Sequence, residues 1–276
     1  MESCPGRLAQ REQSHVKTQN NFVAAILIGL TMFVITTAAA SSECPGTPGT
    51  VIGTVYCDNK FQLWVNGKEI ADDPVAFTPH QAVRVAFEWD GTSSLTYAIL
   101  CEDFASESGY EYTGSDRPQL GDGALIAEFN DGFGTVTAAE NWRVYTVTFG
   151  PTDASQQNGC SASNLSACAV EDRGMPQGWS EVDFDDSGWV LATSYSVAEA
   201  GWGRTPEWSL AKGCCNSTSP IDRSSLGCDL TVTEEECLVP RTEFAESTAE
   251  FIWAGDLERD NRVLFRHTAN CETSEK

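Results

Sequence analysis

The chain has 276 residues and sets 17 Lys and Arg against 40 Asp and Glu, a formal net charge of −23 at pH 7. A surface of that sign repels nucleic acid and anionic lipid headgroups, so neither is expected as a partner. Of the 11 cysteines only Cys4 precedes the apolar run from Phe22 to Ala40.

In chain order the first element is a leader. Arg7, Arg11 and Lys17 are followed by the apolar stretch Phe22 to Ile35 and then by Ala38-Ala39-Ala40. A basic start, a short apolar core and a small-residue exit are the parts of a secretory signal peptide, and cleavage after Ala40 is the first expectation for residues 1–40. Read through the alanines, the run is also about long enough for a hydrophobic helix that spans a bilayer, which left uncut would be a type II signal anchor. A helix buried in a soluble fold is a third alternative. Export places Cys44, Cys57, Cys101, Cys160, Cys168, Cys214, Cys215, Cys228, Cys237 and Cys271 where disulfides persist, and all ten are expected to pair. The location implied is secreted, or the cell surface, with membrane contact only through an uncut leader.

Beyond the leader, residues 44–276 have the length of one large domain. Lys60-Phe-Gln-Leu-Trp-Val65 runs into Asn66-Gly67, a dipeptide that accepts positive φ at both positions and predicts a two-residue hairpin turn with a return strand at Lys68 to Ala71. Ala82 to Trp89, Leu95 to Cys101, Leu125 to Phe129 and Trp142 to Phe149 continue the pattern, alternation predicting one buried and one wetted face. Helical periodicity is nearly absent, so the fold class is an all-β, antiparallel β-sandwich. Gly150 to Gly178 is the best boundary candidate, and a bridge between Cys160 and Cys168 would close a short loop there. Asn164-Leu-Ser and Asn216-Ser-Thr have the acceptor pattern for N-glycosylation. Glu199 to Thr242 reads as a cysteine-rich insertion with few strand signals.

Three segments carry a resemblance. Cys57 to Lys68 is similar to the strand and Asn-Gly hairpin of galactose-binding-like jelly rolls, the carbohydrate-binding-module type. Trp179-Ser-Glu-Val-Asp-Phe-Asp-Asp-Ser-Gly-Trp189 resembles the family's Trp, then Phe-Asp-Asp-Ser-x-Trp stretch, and Phe251-Ile-Trp253 with Val263-Leu-Phe-Arg266 resembles its Ile-Trp and aromatic-Arg strand pair. The latter pair comes last here rather than first, which predicts a permuted order with Val263 to Arg266 packed near Val51 to Cys57. The resemblance implies a jelly roll that recognises carbohydrate through loops at one end.

The function expected is thus a noncatalytic extracellular binding module, with a glycan or a cell-surface or matrix component as partner. A structural acidic matrix glycoprotein is the alternative. A glycoside hydrolase using paired carboxylates comes third, because the chain is too short for this domain and a catalytic barrel together. Ligand-binding candidates are Trp202, Arg204 and Trp208, large groups among Gly and Pro in the insertion, and Tyr110. Asp185 and Asp186 are the candidate calcium ligands, with turn capping as the alternative. Arg266 is expected to pair with a carboxylate, and Trp64, Trp179, Trp189 and Trp253 to fill the core. No Cys-x-x-Cys pair or histidine doublet supports zinc.

Overall fold

Every second residue of most strands is apolar, and that period builds two sheets. The computed structural model describes residues 42–44, 47–73, 81–152, 159–200, 208–211, 238–240, 244 and 247–273. Its strands are β1 (Ser42–Glu43), β2 (Gly49–Asp58), β3 (Lys60–Val65), β4 (Lys68–Asp72), β5 (Gln81–Trp89), β6 (Leu95–Glu102), β7 (Ala124–Phe129), β8 (Arg143–Phe149), β9 (Glu171–Asp172), β10 (Val190–Leu191), β11 (Thr193–Tyr195), β12 (Trp208–Ala211), β13 (Leu238–Pro240), β14 (Phe251–Trp253), β15 (Asp260–Ala269) and β16 (Glu272–Thr273). A 3-10 turn at Leu165–Ala167 is the one helical element among the described residues.

One seven-stranded sheet runs β10-β8-β15-β6-β3-β4, with β9 also paired to β8; a second runs β11-β14-β7-β2-β5-β12-β13. Pairing is antiparallel except between β12 and β5. The inner faces meet in a single core: Leu63, Tyr97, Ile99 and Phe265 of the first sheet pack with Val55, Val85, Leu125 and Phe129 of the second. Two pleated sheets with apolar faces turned together make a β-sandwich-like body. Each fully buried side chain of this size stabilises it by roughly 1.5–3 kcal/mol.

The Asn-Gly turn forms as the dipeptide predicts, with φ of 50° at Asn66 and 77° at Gly67. Asn66 also fixes the neighbouring hairpin: its Oδ1 accepts from Thr96 N–H at 2.7 Å, and its Nδ2 donates to Ser94 O at 3.1 Å.

Three expectations are corrected. β6 has no wetted face; its residues from Leu95 to Cys101 are all buried. The outward Ala98, Leu100 and Leu264 lie under Trp179 and Trp189, because the Trp179 to Trp189 segment crosses this sheet. Buried Arg266 fastens it, its Nε 3.0 Å from Asp186 Oδ2, its Nη1 donating to Trp179 O and its guanidinium 5.2 Å from the Phe184 ring centre. Second, Val263 to Arg266 shares the core with Val51, Val55 and Cys57 through Val263 and Phe265 but is not a strand neighbour of β2. β15 pairs with β6 and β8 in the opposite sheet, held by a continuous ladder with β6 from Arg262↔Glu102 to Ala269↔Leu95, while β2 pairs with β5 and β7. Third, the insertion adds to the sheet, since β12 and β13 extend it beyond β5.

Cys44–Cys271 ties the two ends of the described chain, Cys57–Cys101 links β2 to β6 through the core, and Cys160–Cys168 closes a loop. Cys214, Cys215, Cys228 and Cys237 lie outside the described residues. Among the described residues no helix is long and apolar enough to cross a membrane; Phe22 to Ala40 lies outside them.

Candidate binding site

β2 and β6 end side by side, and their last residues turn from apolar to acidic: Cys57 gives way to Asp58, and Cys101 to Glu102 and Asp103. Asn59 stitches the two ends together. Its backbone N–H donates to Glu102 O at 2.8 Å, its Oδ1 accepts from Phe104 N–H at 2.6 Å, and its Nδ2 donates to Asp58 Oδ1 at 2.8 Å.

Beyond this stitch lies a cleft of about 460 Å³, walled by residues 102–107, Thr148, Val170, Asp172, Asn261 and Arg262. Glu102 holds two cations from flanking strands, Lys60 Nζ and Arg262 Nε, each at 2.7 Å. On the rim Phe104 is 47% exposed, and Tyr112 on the following loop is 43% exposed. An apolar side chain so open at the mouth of a cleft lined with carboxylate, amide and guanidinium groups is suited to a ligand with one apolar and one polar face.

The loop after β6 is shaped by its own backbone. Ser106 N–H donates to Tyr110 O at 2.9 Å, and Glu111 N–H donates to Gln119 O at 2.8 Å, pinching off residues 112–118. This brings Glu111 against Asp103. Asp103 is 3% exposed and Glu111 4%, and apart from the Glu111 carboxyl no described side chain or backbone group hydrogen-bonds the Asp103 carboxyl oxygens. A Cβ at position 121 would fall on Asp103 Oδ2, so a larger residue fits there only if the Asp103 side chain shifts. Burial, then contact with Glu111 and the charges of Asp58 and Asp122, holds the Asp103 carboxyl well above the ordinary range. Burial and then Glu111 push Asp122 up to about 6. The Tyr112 phenol is raised as well, by burial first and then by the four carboxylates.

Of the residues expected from sequence, Tyr110 alone has a described side chain near this end; it is half-buried in the loop after β6. Trp202 and Arg204 lie outside the described residues, and Trp208 opens β12, where the backbone alone is described. Asp185 and Asp186 face different partners. Asp185 Oδ1 accepts from Ser187 N–H at 3.0 Å, the turn-capping alternative, whereas Asp186 lies 3.0 Å from Arg266 Nε and 3.6 Å from Arg143 Nε. Among the described residues no three His, Cys, Asp or Glu side chains are gathered, as they stand, to hold a metal ion. Asn164 is exposed on its disulfide-closed loop; Asn216 lies outside the described residues.

Sequence reasoning missed Phe104, Asp103 and Asn261. The available signal was the position of Asp58, Asp103 and Asp122 at strand ends, where apolar alternation stops abruptly. No protein-family model, curated protein or solved structure matches the chain.

Proposed function

We propose that this chain is a noncatalytic extracellular binding module, a galactose-binding-like jelly roll that recognises carbohydrate and is secreted or held at the cell surface by its leader. The observation that carries the reading is the cleft at the end of β6, where exposed Phe104 stands beside Asp172, Asn261 and Arg262. Sugar C–H faces stack on aromatic rings, and sugar hydroxyls match carboxylate and amide acceptors. The inter-sheet bridge Cys57–Cys101 supports an oxidising location.

A glycan array probed with the full chain tests this, with Phe104→Ala as the paired variant. Phe104 lies at the surface, so the expected result is binding that drops at least tenfold in the variant while Tm stays unchanged. Absence of binding to every glycan would overturn the carbohydrate reading. Turnover of chromogenic glycosides would overturn the noncatalytic one.

A further inference from the structure

We propose that Asn164 carries an N-linked glycan whose first sugars lie along a hydroxyl-lined groove between its disulfide loop and the loop that follows β6. Asn164 is exposed on the loop that Cys160–Cys168 closes, and Ser166, the hydroxyl residue of its sequon, is exposed beside it. The Asn164 Nδ2 donates to Gly159 O at 3.0 Å, and its Oδ1 accepts from Ser166 Oγ at 3.1 Å. A glycan replaces one of the two hydrogens on Nδ2 and leaves the other to hold Gly159 O, so the loop keeps its shape when modified. Backbone bonds brace the same loop: Asn164 N–H donates to Ser161 O at 2.8 Å, and Cys168 N–H donates to Leu165 O at 3.0 Å. The attachment point is therefore fixed in position.

A seat for the sugars lies next to that amide. A groove of about 570 Å³ runs between the two loops, walled by Leu165, Ser166 and Cys168 on one side and by residues 106–108 and Thr113 on the other. Ser106, Ser108, Thr113 and Ser166 bring four hydroxyls to it, and each both donates and accepts, as sugar hydroxyls require. Asn164 Oδ1 is bonded to Ser166 of this wall, which puts the attachment point at the edge of the groove. Ser106 and Glu107 also wall the cleft that holds Phe104, so a glycan seated here braces one side of the candidate binding site. The transfer is a substitution at the anomeric carbon of a lipid-diphosphate-linked oligosaccharide. Nδ2 forms the new C–N bond, the C–O bond to the carrier breaks, the lipid diphosphate leaves with the bonding pair, and the Nδ2 proton passes to a base of the transferring enzyme. That donor belongs to the secretory membrane, so the modification rests on the exported location proposed above.

The test uses the full chain expressed in eukaryotic secretory cells and recovered from the medium or the cell surface. Peptide mapping before and after enzymatic release of glycans should find Asn164 modified, with the glycan kept in Ser166→Thr and lost in Ser166→Ala and Asn164→Gln. Amide hydrogen exchange over residues 106–113 should be slower by about threefold or more in the glycosylated chain than in either bare variant. An exported chain with Asn164 bare overturns the proposal and leaves export standing. A chain that stays in the cytosol overturns export and the modification together. A glycan on Asn164 that leaves exchange over residues 106–113 at the rate of the bare variants overturns the groove as its seat.

Discussion

Arg266 shows how much one side chain can hold. Only 2% of it is exposed, directly after the apolar run Val263-Leu264-Phe265, and it spends its donors on Asp186 and on Trp179 O. Removing one partner of a buried pair leaves the other desolvated and uncompensated, at a cost of 3–5 kcal/mol where both are fully buried. The Asp186 side chain is 26% exposed, which places Arg266→Ala at the lower end, about 3 kcal/mol. Urea unfolding should show this loss, and tryptophan fluorescence should shift red as Trp179 and Trp189 gain water. Arg266→Lys should recover only part, because an ammonium lacks the planar fork that serves two acceptors at once. An unchanged midpoint and spectrum in Arg266→Ala would mean that the segment is held by its tryptophans alone. The need for a carboxylate partner was legible from a charge on an apolar strand. Which carboxylate was not, because Asp186 lies 80 residues upstream and periodicity says nothing about which loop crosses a sheet.

At the scale of elements, local signals translated well. Asn66-Gly67 set a turn, and alternating residues set β3, β5 and β7 within a residue or two, since these depend on neighbours along the chain. The loop after β6 was not legible, because its character comes from Asp103 and Glu111 meeting each other and Asp122 rather than from spacing. That meeting has a consequence for stability. Asp103 and Asp122 both have folded-state pKa values above those of the unfolded chain, so the folded state keeps protons that the unfolded state releases. Their effect is least unfavourable below the ordinary value of 3.8; stability falls as pH rises, through about 6 for Asp122 and further for Asp103. Tm should therefore decline from pH 5 to pH 8, and Asp103→Asn should flatten the decline. His267 acts in the opposite sense, since burial lowers its pKa and the stability it contributes is lost as pH falls below 6.5. A profile in which Tm rises steadily from pH 5 to pH 8 would show that His267 outweighs the loop, and His267→Gln separates the two.

For the whole molecule, composition indicated the class and long-range pairing determined the arrangement. Few helical signals and many short alternating runs were enough for an all-β body, but the sheet in which each strand lies depends on contacts such as β15 with β6, more than a hundred residues apart. The acidic composition has a mechanical consequence for that body. With 40 acidic against 17 basic side chains, most carboxylates have no cation to pair with, and folding brings them closer together. Self-repulsion of this kind is long-ranged and weakens as the Debye length contracts from about 30 Å at 0.01 M salt to about 8 Å at 0.15 M. Salt also weakens partly exposed pairs such as Lys60 with Glu102, but each of these is worth only about 0–1 kcal/mol, and they are few beside the acids in excess. Raising sodium chloride from about 0.01 M to 0.15 M should therefore raise Tm by a few degrees at pH 7.5. The slope should be the same in Phe104→Ala, which carries no charge change. A Tm that fell with salt would mean that the ion pairs around Glu102 and Asp186 outweigh the net charge, and that the acidic surface is a property of solubility alone.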